Sequence, residues 1–182
     1  MTAPPLPEIT LRPAVPADAV LLEAWRREPS ARQFQPLQDL TLAQLRADIA
    51  GQRMAQLYRS EGEKFQWVIL VSGRPAGWLT LVIGHWEHGL AEIGYTLSTP
   101  YLGRGLMLRA LDLLLADLFA RTVLVRIEAR CAIENVASFR VLERLGFQRE
   151  GHMRSYFRLG DRRHDNYLYA LLREDYLKGR SR

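Results

Sequence analysis

The residues best suited to chemistry lie in two short segments. The first is Pro100-Tyr101-Leu102-Gly103-Arg104-Gly105-Leu106-Met107, between a strand-like and a helix-like stretch. Two glycines two apart, with Arg104 between them, let the backbone turn tightly and aim several N–H groups outward. The terminus of the helix that follows adds partial positive charge, so the segment suits a phosphate or pyrophosphate. It lacks the Lys-Ser/Thr of a Walker loop and does not complete GxGxxG, and a plain glycine turn would carry the same residues. The second segment is Asn135-Val136-Ala137-Ser138, followed by Val141-Leu142-Glu143-Arg144-Leu145-Gly146-Phe147. Asn135 is placed to cap a helix, and Ser138, one turn on, shares its face beside the same terminus. Capping alone would account for Asn135.

Other reactive residues carry less pattern. His85-Trp86-Glu87-His88 does not match HExxH, so no metal site is expected. Cys131 has no patterned histidine partner and reads as a small packing residue. His164-Asp165 reads as a structural pair near a C-terminal strand.

The elements that must position these segments follow from periodicity. Residues 1–8 are proline-rich and read as a loose arm. Ile9–Leu11 starts a short strand, and Asp18 caps a helix through Val20, Leu21, Ala24 and Trp25 that ends near Pro29. Thr41 and Gln44 form a capping box for one longer helix through Leu42, Leu45, Ile49, Met54 and Leu57. Phe65–Val71 and Ala76–Ile83 are apolar runs joined by the turn Ser72-Gly73-Arg74, hence a hairpin. In Leu90–Leu97, Ala91, Ile93, Tyr95 and Leu97 alternate with Glu92, Gly94 and Thr96, the pattern of a strand with one packed and one small, polar face. A helix runs from Arg104 to about Phe119, a strand over Val123–Ala129, and a second helix over Asn135–Leu145, closed by Gly146. Gln148–Phe157 and Asn166–Leu171 are strands flanking a Gly160-Asp161 turn. The order describes one α/β (α+β) domain, a mixed sheet flanked by helices.

Composition narrows the class. A chain of 182 residues fits one domain, and 48% apolar with 25% charged residues excludes general disorder. No run of about 18 apolar residues is available to cross a membrane, so no membrane partner is expected. MTAPPLPEIT has neither the basic nor the apolar region of a secretory signal. A single cysteine excludes an internal disulfide framework and suits a reducing cytoplasm. The net charge is +5, and 23 of the 25 basic residues are arginine, spread from Arg12 to Arg182 without a tight cluster. That balance favours anionic partners, whether nucleic acid, a phosphorylated cofactor or an acidic protein, although a solvated arginine-rich surface would carry the same charge; without a cluster, direct nucleic-acid binding is not expected.

Taken together, Ala91-Glu92-Ile93-Gly94-Tyr95, Tyr101-Leu102-Gly103-Arg104-Gly105, Asn135-Val136-Ala137-Ser138, Leu142-Glu143-Arg144-Leu145-Gly146-Phe147, Arg163-His164-Asp165 and Tyr169-Ala170-Leu171 resemble the GNAT superfamily of acetyl-coenzyme A-dependent N-acetyltransferases. Within it the chain is similar to the Rim-type ribosomal-protein N-terminal acetyltransferases, from about residue 8 to 177 in order and spacing. The resemblance implies a mostly antiparallel sheet whose central strands splay around the cofactor, with the N-acetyltransferase domain over residues 9–177. It implies that the amides of Gly103, Arg104, Gly105, Leu106, Met107 and Leu108 hold the coenzyme A diphosphate. Thr96 and Leu97 would pair with the pantetheine arm, and Asn135 would contact it where the strands splay. Ser138 occupies the place from which related enzymes serve the departing thiolate. Three departures stand out: Leu102 where the family loop often begins with Gln or Arg, Met107 at its last small position, and Leu142 where many members carry a general-acid tyrosine.

An amine acceptor also needs a base. Glu92, on the polar face of its strand, is favoured over Glu128 on the next core strand, with a water relay as the remaining route. For either carboxylate, pairing with one of the arginines is the structural alternative. The resemblance implies acetyl transfer to a primary amine, foremost a protein N-terminal α-amine, ribosomal or other. A polyamine or aminoglycoside, or a non-catalytic coenzyme A-binding module on the ribosome, are the alternatives. A homodimer is compatible with the sequence.

Overall fold

The two apolar runs of the sequence are strands buried on both faces. In Lys64–Val71 (β2), Phe65, Trp67, Ile69 and Val71 enter one hydrophobic cluster while Val68 enters another. In Arg74–His85 (β3), Leu79 and Leu81 go one way and Trp78 the other. Because neighbouring strand residues point to opposite faces, helices must cover both sides. The computed structural model describes residues 7–180 and supplies them. Ala19–Arg26 (α1), Pro29–Arg32 (α2) and Leu42–Ala50 (α3) lie toward one face, where Trp25 stacks on Trp78 at 5.8 Å above Leu22, Leu45 and Ile49. Met54–Leu57 (α4) follows, its Leu57 reaching the larger core on the opposite face. There Leu106–Arg121 (α5) buries eight side chains, among them Leu111, Leu114, Leu115 and Leu118. Each of these leucines contributes about 2 kcal/mol by leaving water. Val136–Arg144 (α6) extends that layer with Leu142, and Arg173–Arg180 (α7) closes the chain through Tyr176.

Among the described residues the sheet has seven strands in the order β1-β2-β3-β4-β5-β7-β6, with Ile9–Pro13 (β1), Leu90–Leu97 (β4), Arg126–Ala132 (β5), Gln148–Leu159 (β6) and Arg162–Leu172 (β7). All neighbours are antiparallel except β4 and β5. Those two pair over Leu90↔Arg126, Ala91↔Ile127 and Glu92↔Glu128, and then part. Beyond Glu92, β4 stays bound to β3 as far as Leu97↔Gly77, and β5 stays bound to β7 as far as Ala132↔Asn166. The expected splay of the central strands is thus a gap between two well-held edges.

Several boundaries differ from the sequence reading, each for a local reason. The single helix expected over 41–57 is two, broken at Gly51–Arg53. The Gln52 carboxamide there donates to Ala14 O at 2.6 Å and accepts from Gln66 N at 2.7 Å, tying the break to the sheet. Asp18 does not cap α1 with its side chain; its carboxylate takes both ends of the Arg12 guanidinium, at 2.6 and 2.7 Å, and the Val15 N–H. Pro29 starts α2 rather than merely ending α1, since proline is preset for the first turn. The β5 strand begins three residues later than expected, at Arg126, with Val123 and Val125 exposed in the approach to it. Of the expected N-terminal arm, residues 1–6 lie outside the described residues. Pro7 O accepts from Arg109 and Glu8 O from Ser72.

Gly77 fixes where the end of β4 lies. A Cβ at Gly77 would stand 2.2 Å from Thr96 O and 2.9 Å from Leu97 Cα, both backbone. Gly77→Ala should therefore displace the end of β4, costing about 3 kcal/mol and lowering Tm by roughly 10 °C. Thermal unfolding of this variant checks it; a Tm equal to that of the parent would mean β4 is not held by this contact.

Candidate active site

The parting of β4 and β5 opens into a cavity of about 450 Å³. Its walls are Glu92–Thr96 on one side and Arg130–Ala132 on the other, with Asn135 and Ser138 of the α6 terminus between them. The segment Phe34–Leu37, with Arg26, Leu45 and Asp48, covers it from the α1–α3 layer. Of the residues singled out from sequence, Glu92, Thr96, Asn135 and Ser138 are brought together here. Leu97 is buried in the α5 core, and only its backbone belongs to the strand end. Gly103–Leu108 stand apart from this lining, at the start of α5.

The two carboxylates differ in placement. Glu92 lines the cavity and is ion-paired with Arg130. Glu128 lies outside the lining, held by Arg126 at 2.8 Å and faced by Arg130 at 3.6 Å. Arg126 in turn grips Glu150, holding its carboxyl below the usual range. Both candidate bases are thus members of one ladder of alternating charge. The Nε of Arg130 is buried and lacks a hydrogen-bond partner among the described residues.

Asn135 caps α6, its Oδ1 accepting from Ser138 N at 3.1 Å, so the capping reading holds while the residue also lines the cavity. Leu142 is fully buried and offers no proton. A tyrosine nevertheless reaches the site from another element. Tyr95 Oη lies 2.7 Å from Ser138 Oγ, joining β4 to α6 across the parting. Burial pushes the Tyr95 phenol well up, so it stays protonated and able to donate. Sequence reasoning placed Tyr95 on the packed face of the alternation and missed its hydroxyl. The available signal was a phenol on a face otherwise occupied by Ala91, Ile93 and Leu97. The Cys131 thiol also meets the Ser138 hydroxyl, and burial pushes it up to about 11, which leaves it protonated and a poor nucleophile. His164 and Asp165 do not pair: Asp165 takes His152 Nε2 at 2.6 Å, while His164 stacks on Phe157. Among the described residues no group of three or more His, Cys, Asp or Glu could hold a metal ion.

The segment before α5 has the chemistry of an anion cradle. Gly105 is the N-cap in the left-handed region, φ +68°, so the helix starts at Leu106 rather than at Arg104. With no side chain at the cap, the first-turn amides, which have no partner inside the helix, are left to a ligand. Gly103 also has positive φ, +72°, and a Cβ at either glycine would meet nothing within 4 Å. The Leu106 and Met107 side chains enter the core, so their contribution is the backbone N–H. These donors fit a diphosphate, and the unpaired inner edge of β4 at Thr96–Leu97 fits an amide-bearing arm.

Comparison with known proteins agrees with this chemistry. Residues 8–148 match the model of the acetyltransferase (GNAT) domain family. An uncharacterised N-acetyltransferase, p20 of Bacillus licheniformis, is 27% identical over 168 residues, covering 92% of this chain and 94% of that protein. The structure of RimL, a ribosomal L7/L12 alpha-N-protein acetyltransferase in complex with coenzyme A, superposes with a TM-score of 0.79 at 25% identity, over 90% of this chain and 93% of that one. A spermidine N-acetyltransferase chimera, SpeG from Vibrio cholerae and hSSAT, superposes at the same TM-score, 0.79, with 20% identity over 93% and 98% of the two chains.

Proposed function

Because the chain belongs to the acetyltransferase (GNAT) family and moves acetyl from acetyl-coenzyme A to an amine, we propose that its acceptor is a protein N-terminal α-amine. The observation that carries this reading is the charge of the cavity. Three cations, Arg26, Lys64 and Arg130, line it against two carboxylates, Asp48 and Glu92. Each carboxylate already has a cationic partner, Asp48 in Lys64 at 2.6 Å and Glu92 in Arg130, so beyond the reacting amine no carboxylate is left over for a second ammonium. A polyamine or aminoglycoside keeps further positive charges after one nitrogen reacts, and those need free carboxylates. A peptide N-terminus carries one ammonium followed by neutral amides, which this lining accepts without a new charge clash. The relation to RimL, whose substrate is a ribosomal protein N-terminus, supports the same class.

In this reading residues 9–177 act as one N-acetyltransferase domain. The amides of Gly103–Leu108 hold the diphosphate, with Arg104 beside them, and the backbone of Thr96 and Leu97 aligns the pantetheine arm. Asn135, fixed by its own cap, faces that arm. Acetyl-coenzyme A supplies an already activated carbonyl, so positioning of the amine contributes much of the rate and no covalent enzyme species is needed. Glu92 takes the proton that the amine gives up on attack. Ser138, backed by Tyr95, offers a hydroxyl where negative charge gathers on sulfur, an interaction stronger in the transition state than before it.

Thiol release from acetyl-coenzyme A with a panel of acceptors tests the class directly. A peptide with a free N-terminus should be turned over with kcat/KM roughly tenfold or more above that of spermidine or an aminoglycoside. A preference for spermidine would overturn the proposal. The same assay addresses the hydroxyl pair and the base. Ser138→Ala and Tyr95→Phe should each lower kcat by roughly tenfold, with the acetyl-coenzyme A Kd little changed. The double variant should lose less than the product, because the two hydroxyls act as a unit. Glu92→Gln should lower kcat by roughly tenfold or more, with the acetyl-coenzyme A Kd little changed. Should only Tm move in the hydroxyl variants, Ser138 is structural; wild-type rates for Glu92→Gln at every pH would transfer its role to Glu128 or water.

A further inference from the structure

The cavity contains a polar side chain that neither the fold nor the mechanism above uses. Asn166, within β7, is only 6% exposed and lines the cavity, yet its Oδ1 is buried without a hydrogen-bond partner among the described residues. Buried carboxamides are almost always paired, so an unpaired one in a core is replaced at little cost by an apolar residue of similar size. Its place is specific. Asn166 pairs through its backbone with Ala132, the last residue of β5 in the ladder, while Arg130 pairs with Leu168 two residues on. Cross-strand register therefore sets Asn166 and Arg130 diagonally on one face of the sheet. Arg130 in turn holds Glu92. Glu92, Arg130 and Asn166 therefore line one cavity, with Arg130 between the carboxylate and the carboxamide.

We propose that Asn166 is the residue that reads a peptide acceptor, its Oδ1 accepting the first peptide N–H after the reacting α-amine. The inference rests on the N-terminal reading above and deepens it: Glu92 receives the amine, while Asn166 recognises that the amine is followed by an amide. A polyamine methylene at the same place leaves the carboxamide unpaired and is disfavoured for that reason. Asn166 is in this account a specificity residue, and its loss alters selectivity without disturbing the coenzyme.

The test uses two acceptors that differ in one atom, a short peptide with a free N-terminus and its analogue with an ester oxygen in place of the first peptide N–H. The parent enzyme should prefer the amide by roughly tenfold in kcat/KM. Asn166→Leu should lose that preference, turning over both at the level of the parent with the ester. Its Tm should hold or rise and its acetyl-coenzyme A Kd should be unchanged; Asn166→Ser serves as the second variant if leucine fails to fold. A parent enzyme indifferent to the ester, or a variant that keeps the preference, overturns the assignment of Asn166 alone. If the parent acetylates spermidine and no peptide, the N-terminal reading fails and the role of Asn166 fails with it.

Discussion

The site depends on one constraint: β4 and β5 pair for three residues and then stop. Backbone groups inside a protein must find partners, and here each strand satisfies its outer edge, β4 against β3 and β5 against β7, as far as Leu97 and Ala132. The inner edges beyond Glu92 and Glu128 remain open to whatever enters between them. In the proposed reading a ligand that carries amides enters as a partial strand, with its diphosphate on the amides that begin α5. Gly77 sets the place of the open edge, since its missing Cβ lets β3 approach Thr96 O. The two hydrophobic layers, α1–α3 on one face and α5–α6 on the other, cover the sheet on both sides of the parting.

Charge on one face of the parting and hydroxyls on the other divide the work. The ladder Glu150–Arg126–Glu128–Arg130–Glu92 crosses from β6 to β4 on the face toward α3. It fixes Glu92 in a known position and leaves the cavity without free negative charge. On the opposite side Tyr95 and Ser138 bridge β4 and α6. The bridge places a protonated phenol behind the serine hydroxyl in the absence of a donor at Leu142. A single tyrosine thereby acts as both a strut across the gap and a second hydroxyl at the site.

Much of this was legible in the sequence, because local rules and tertiary packing agreed. The alternation in Leu90–Leu97 put Glu92 on a polar face and Ile93 in the core, and the two glycines before α5 marked the left-handed turn from which that helix starts. Other features depend on contacts that no local pattern encodes. The helix over 41–57 breaks because Gln52 is needed against Ala14 and Gln66. Asp18 looked like a cap, but Arg12, six residues earlier, claims its carboxylate. Tyr95 was read as packing because periodicity reports which way a side chain leaves the strand, not what its far end meets. Asn166 carried no signal: in a run of alternating aromatic and aliphatic residues, nothing local says that its carboxamide is left without a partner.

The central claim, that the inner edge of β4 and the first turn of α5 form one binding surface for the coenzyme, is most directly tested by residue-resolved amide hydrogen exchange with and without coenzyme A. Exchange should slow by about tenfold at saturating ligand for amides of residues 93–97 that face the parting and for those of Gly103–Leu108. Protection of one of these segments without the other, or of neither, would contradict it.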